Sequence, residues 1–185
     1  MRKIVLASSS PRRKELLETA GIEFEIHVRD VDESIPEGTN PTDAAVMTAS
    51  KKAKAVACDF SESIVIGADT IVVCDGNILG KPKDSADAAR MLRMLSGREH
   101  EVITGVCLIC GEDIRSFAKI SKVRFYELSD DEINAYVATN EPNDKAGAYG
   151  IQGRGCTLVE SIDGDYFNIV GLPVAAVVKE INKMQ

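Results

Sequence analysis

The order of its apolar runs constrains this chain more than any other feature. Near the start, short β-type runs alternate with helical patterns: residues 3–7 suit a buried strand, and residues 22–28 alternate well enough for a second. The middle is different. Residues 63–74 are almost all β-branched or small, Asp75-Gly76-Asn77 turns back through Ile78 and Leu79, and residues 100–110 and 114–127 read as two long strands joined around Gly111-Glu112-Asp113. Helices between strands call for parallel pairing and hairpins for antiparallel pairing, so the expected fold is a mixed α/β sheet.

The helix signals are local. Ser10-Pro11 pairs a cap residue with proline at the first helical position, Leu16, Leu17 and Ala20 supply the stripe, and Gly21 stops it. Asn40-Pro41 opens a helix to about Cys58, and Asp84 or Ser85 caps one that carries Met91, Leu92 and Leu95 and ends at Gly97. Ser129 followed by Glu132 fits a capping box, with a helix to about Thr139. Pro173 opens the last helix, 174–183. Residues 29–40 form an acidic loop, residues 140–156 a glycine-rich one, and two strand candidates lie around Gly164-Asp165. No repeat or linker divides the 185 residues, so one domain over 1–185 is expected, with a core that needs no staples.

Charge and cysteine narrow the function. The chain has 22 Lys plus Arg against 29 Asp plus Glu, a net charge of −7, which argues against a nucleic-acid partner and leaves anion binding to local clusters of base. No run approaches the roughly 18 apolar residues of a membrane span. The start, Met1 to Ala7, resembles a signal peptide, but Ser8-Ser9-Ser10-Pro11-Arg12-Arg13-Lys14 cuts the apolar segment short. Five cysteines, an odd and scattered set, point to a reduced, cytoplasmic protein. Cys107 and Cys110 have the spacing of a metal pair, yet on a strand residues three apart face opposite sides, so both read as small buried hydrophobes.

Three segments carry chemistry. The run Ser8 to Lys14 puts hydroxyls, free N–H groups and three cations at a helix N-terminus, where cations oppose the dipole unless an anion sits there. Arg12 and Arg13 add the fork geometry that suits phosphate oxygens. Asp69 lies inside the apolar run 64–73, where a carboxylate needs an ion pair, hydrogen bonds or a metal. Glu33 offers a second hard oxygen, and a Mg²⁺ site of few carboxylates plus substrate phosphates suits such a pair. The third segment, Asn140 to Gly155, is rich in glycine, as where backbone approaches a ligand. It lacks the P-loop pattern and the strand-to-helix setting of a dinucleotide site.

Together these stretches resemble the Maf family (septum formation Maf-like proteins) of house-cleaning nucleotide pyrophosphatases. The resemblance rests on Leu6-Ala7-Ser8-Ser9-Ser10-Pro11-Arg12-Arg13, Ala68-Asp69-Thr70, Gly80-Lys81-Pro82, Ser96-Gly97-Arg98, Thr139-Asn140-Glu141-Pro142, Lys145 to Gly153 and Gly164-Asp165-Tyr166, in that order along nearly the whole chain. It implies an elongated mixed sheet flanked by helices, in two lobes with a central cleft, like the inosine-triphosphatase fold. It also implies hydrolysis of a nucleoside triphosphate to monophosphate and pyrophosphate with a divalent metal, Mg²⁺ or Mn²⁺. Arg12, Thr70 and Gln152 look like the combination of the dTTP/UTP subgroup. By the same resemblance Asp69 is the proton acceptor, and Ser8, Arg13, Glu33, Lys52 and Lys81 belong to the phosphate and metal environment. Lys52 is chosen over Lys51 and Lys54 from the pattern Lys-Ala-x-Ala-Val.

On a regular strand Thr70 faces away from Asp69, so a contact from both to one ligand needs a bend. Gln152 carries both a donor and an acceptor for a pyrimidine edge. Two other classes stay open: a nucleotide-binding regulator without turnover, in line with the cell-division label carried by the family it resembles, and a phosphatase acting at the γ position. A homodimer is also left open.

Overall fold

The computed structural model describes residues 1–185. Its strands are β1 (Ile4–Leu6), β2 (Glu25–Ile26), β3 (Ile64–Cys74), β4 (Asn77–Leu79), β5 (Glu99–Cys110), β6 (Asp113–Phe125) and β7 (Val159–Asp163). The helices are α1 (Pro11–Thr19), α2 (Pro41–Ala57), α3 (Ser85–Leu95), α4 (Asp130–Val137), α5 (Tyr166–Val170) and α6 (Val174–Met184). The seven strands form one sheet in the order β2-β1-β3-β5-β6-β7, with β4 on β3. It is mixed, as expected: β1 pairs in parallel with β2 and β3, whereas β4 and β7 are antiparallel to β3 and β6. By contact density the chain divides into two compact units, residues 1–70, 104–119 and 171–185 in the first and residues 71–103 and 120–170 in the second.

In the first unit the sheet core is Ile4, Val5, Leu6, Ile64, Val65 and Ile66, all buried. Helix α2 begins where Asn40 accepts a 2.9 Å hydrogen bond from the Thr42 N–H, with Pro41 at the first helical position. It lies on the sheet through small residues. A Cβ at Gly67 of β3 would collide with the Ala49 carbonyl and come within 2.7 Å of the Ala53 nitrogen. One at Gly105 of β5 would collide with the backbone of Ala45 and Val46. Two bare positions on the sheet thus receive Ala45, Ala49 and Ala53, spaced four apart on one helix face. Cys107 and Ile109 pack into the same cluster, and all five cysteines are unpaired.

In the second unit α3 and α4 start at side-chain caps. Asp84 accepts from the Asp87 N–H at 2.8 Å, and Ser129 and Glu132 form the reciprocal capping box. His100, Phe125 and Tyr149 build a buried aromatic cluster with centroids 4.7–5.3 Å apart and rings nearly perpendicular.

Two elements depart from the sequence reading. The strand expected over 22–28 shrinks to Glu25–Ile26, because β1 offers only Val5 and Leu6 as pairing partners on an exposed edge. Of the two strands expected around Gly164-Asp165, the first is β7, but the second is the short helix α5. Asp165 accepts from the Phe167 N–H at 2.8 Å and so turns the chain into a helix. Buried Asn168 then fastens that helix by donating to the Val102 carbonyl at 3.0 Å and to Ser121 Oγ at 2.9 Å.

Candidate active site

The alternation of β3 distributes the site of the first unit. Gly67 and Asp69 share a parity, so Asp69 faces α2, where Lys52 Nζ donates to its Oδ1 at 2.7 Å. Both side chains are 17% exposed. The same ammonium reaches Glu33 Oε1 at 3.0 Å. Lys52 therefore draws the buried-strand carboxylate and the loop carboxylate to one point. Its neighbour Lys51 straps the acidic loop to the helix by donating to the carbonyls of Asp32 (2.9 Å) and Ser34 (2.8 Å). Of the three lysines weighed from sequence, only Lys52 meets both carboxylates.

Thr70, one residue on, serves a different partner. Arg13 Nη2 donates to its Oγ1 at 3.1 Å, Nη1 to Ser8 Oγ at 3.1 Å and Nε to the Gly171 carbonyl at 2.8 Å. Thr70 Oγ1 also pairs with Thr104 Oγ1 at 2.9 Å. Asp69 and Thr70 thus have different hydrogen-bond partners, although the Asp69 charge also acts on Arg13. Arg13 is buried, and its three hydrogen bonds all go to neutral oxygens. Burial pushes its guanidinium below the ordinary value, while the Asp69 carboxylate opposes that shift and the Arg12 charge adds to it. A desolvated cation so placed favours an anion. Ser10 occupies the cap position of α1, but its side chain makes no cap bond; instead its N–H donates to Ser8 Oγ at 3.3 Å. Ser8, Arg12, Arg13, Glu33, Lys52, Asp69 and Thr70 all belong to the first unit.

Lys81 and Gln152 belong to the second unit. Lys81 follows β4 and is exposed; the Gly80 carbonyl beside it accepts from the Gly147 N–H at 3.0 Å, which ties this turn to the glycine-rich segment. That segment is built of three 3₁₀ turns, Glu141–Asp144, Ala146–Ala148 and Gly153–Leu158, with Gln152 half-buried just before the third. In the sequence Glu141 stands within Thr139-Asn140-Glu141-Pro142 without a role of its own. Here its carboxylate accepts from the N–H groups of Arg154 (3.0 Å) and Gly155 (3.3 Å). Nothing in the spacing signals this, because the partners are 13 and 14 residues apart.

Comparison with known proteins places the chain. A relative from Bacillus cytotoxicus named dTTP/UTP pyrophosphatase is 52% identical over 183 residues, covering 99% of this chain and 96% of its own. One of the same name from a Geobacillus species is 52% identical over 184 residues, covering 100% and 99%. Among solved structures, a HAM1 protein from Coxiella burnetii matches 99% of this chain and 100% of its own with a TM-score of 0.54 at 15% identity, a likeness of fold. A sequence profile described as Maf-like protein matches residues 3–184, and the chain belongs to that family.

Proposed function

We propose that this chain hydrolyses nucleoside triphosphates, dTTP and UTP foremost, between the α and β phosphorus atoms, releasing the monophosphate and pyrophosphate. What carries this reading is the identity of 52% along the whole chain with relatives named dTTP/UTP pyrophosphatase. The site supports it. Attack of water on the α-phosphorus needs a group to take the water's proton and cations to hold the triphosphate. Asp69 is the proton acceptor, held at a fixed place by Lys52. Arg13, with its fork anchored on three sides, Arg12 and Lys52 supply positive charge to the phosphates, with Lys81 the further cation of the second unit. Ser8 and Thr70 orient Arg13. Gln152 reads the base through its amide.

The chain's donors fit a hard divalent cation such as Mg²⁺ or Mn²⁺. Asp69 and Glu33 are oxygen ligands drawn together by one ammonium, and a cation of this kind takes one or two carboxylates and completes its shell with substrate phosphates and water. Asp69 and Glu33 would hold it, and when bound it makes water more acidic and offsets phosphate charge. The setting we favour is the cytoplasm, where nucleotide pools are kept clean and where five unpaired cysteines stay reduced. No helix is long and apolar enough to cross a membrane.

The test is product analysis. The protein is incubated with dTTP, UTP and GTP in Mg²⁺ or Mn²⁺, and pyrophosphate and orthophosphate are assayed separately. Pyrophosphate with monophosphate is the expected result. Orthophosphate alone overturns cleavage at the α-phosphorus, and no turnover of any nucleotide overturns the enzymatic reading.

A further inference from the structure

Gln152 sits between two glycines of a loop whose neck is closed by side chains that the chemistry above does not use. At one side of the neck the Gly150 N–H donates to Tyr136 Oη at 3.2 Å. At the other, the N–H groups of Arg154 and Gly155 donate to Glu141 at 3.0 and 3.3 Å. Tyr136 Oη donates in turn to Glu141 Oε1 at 3.3 Å, so the two anchors are one network. Tyr136 is buried on α4, and Glu141 opens the first 3₁₀ turn after that helix. Burial pushes the Tyr136 phenol well above its ordinary value, so it stays a neutral donor and acceptor. The backbone itself is pinched: a Cβ at Gly155 would collide with the Gly150 carbonyl and approach Tyr136 Oη to 2.8 Å. Lys145 adds a brace, donating to the Glu141 carbonyl at 2.6 Å, with its stem filling the place where a Gly150 Cβ would stand.

Three backbone donors that flank Gln152 thus end on one carboxylate and one phenol. A carboxylate suits the task because it accepts with both oxygens and carries no donor of its own. A loop fastened at both ends has little left to order when a ligand arrives, and that is where affinity is gained.

We propose that Glu141 and Tyr136 are positioning residues for base selectivity: they clamp the neck of the loop Gly150–Gly155 and so hold the Gln152 amide where it discriminates pyrimidine from purine. The proposal rests on the reading of Gln152 as the base-recognising group. Neither residue touches the reacting atoms, so loss of the clamp acts on KM for the matched nucleotide and leaves kcat and the purine reaction far less affected.

The experiment measures kcat and KM for dTTP and GTP in wild type, Gln152→Ala, Glu141→Gln, Tyr136→Phe and the double variant Gln152→Ala/Glu141→Gln. Amide exchange of residues 150–155 is followed in the same proteins. Glu141→Gln keeps the shape but turns an NH₂ toward backbone donors; Tyr136→Phe removes one hydroxyl and serves as the milder variant should the first fail to fold. The expected result is faster exchange at Arg154 and Gly155 and a rise of about tenfold in KM for dTTP, the scale of one lost hydrogen bond to a charged group. The double variant should lose no more selectivity than Gln152→Ala alone. Unchanged exchange in both single variants overturns the clamp. Faster exchange with an unchanged dTTP to GTP ratio, while Gln152→Ala lowers that ratio, overturns the positioning role and leaves the reading of Gln152 standing. A ratio that Gln152→Ala does not change overturns that reading, and the positioning role with it. An equal fall in kcat for both nucleotides marks a merely structural part and also overturns the proposal.

Discussion

The two units fix their functional groups by different means. In the first, charged head groups are held mainly by other side chains: Lys52 on Asp69 and Glu33, Arg13 on Ser8 and Thr70 with the Gly171 carbonyl as a third anchor. In the second, side chains hold backbone, and the group of interest rides on the loop so fixed: Glu141 and Tyr136 on the N–H groups of residues 150, 154 and 155. Charge chemistry tolerates a lysine or arginine tethered by its own head group, because the tether and the ligand share one field. Reading a base needs an amide presented at a set angle, with its own donor and acceptor unspent. The first arrangement suits rate, and the second suits selectivity.

If that division is right, changes in the two regions should separate in kinetics. Asp69→Asn tests it most severely. The substitution keeps size and removes the carboxylate's basicity, so kcat should fall by about 10²–10⁴ for dTTP and GTP alike, with circular dichroism showing an intact fold. A selectivity ratio that falls along with the rate would break the division.

The next effect is on stability and belongs to the second unit. His100 is buried and shares a 2.7 Å hydrogen bond with Tyr149 Oη, and burial pushes its pKa down from 6.5 to about 4. As pH falls through this window the unfolded chain takes up a proton that the folded chain refuses. The contribution of neutral His100 is therefore complete above about 6.5 and is lost towards 4, by about 3 kcal/mol in all. Melting temperature against pH, compared between wild type and His100→Phe, should show a flatter acid limb in the variant. Equal slopes would remove His100 from the account.

Gly67→Ala works on the first unit by displacement. The new methyl meets the backbone of α2, so we expect about 1–3 kcal/mol of destabilisation in denaturant melts and a lower kcat as Lys52 moves from Asp69. Wild-type turnover would show that the lysine finds its partner without the close seat. Smallest is Gly155→Ala, which props the loop's neck open. Turnover of GTP should stay close to wild type while kcat/KM for dTTP falls about tenfold, a loss the size of one polar contact to the base.

Much of this was legible beforehand because its causes are local. The capping box at Ser129 and Glu132, the Asn40 cap and the turn at Asp75-Gly76 are written within four residues of one another, and the structure has all three. The features that escaped depend on distance along the chain. Arg13 meets Gly171 across 158 residues, and Asn168 fixes α5 by bonds to Val102 and Ser121, 66 and 47 residues earlier. Glu141 was visible as a residue type, but not as the partner of amides that lie in the 3₁₀ turn beyond the next one. For such contacts composition and period carry no signal; only the folded path brings the groups together.

The bare seat of α2 on Gly67 and Gly105 also sets how this helix can move. A helix resting on side chains can roll, because side chains change rotamer; one resting on backbone cannot. A slip by a single residue would shift it about 1.5 Å along its axis and turn it about 100°, carrying Lys52 off its carboxylates and driving Val46 or Ser50 into the space the glycines leave. The helix is thus keyed like a ratchet with one notch. Its amides should be among the slowest in the first unit to exchange with solvent, and its register is inherited by Lys52 without help from the ligand.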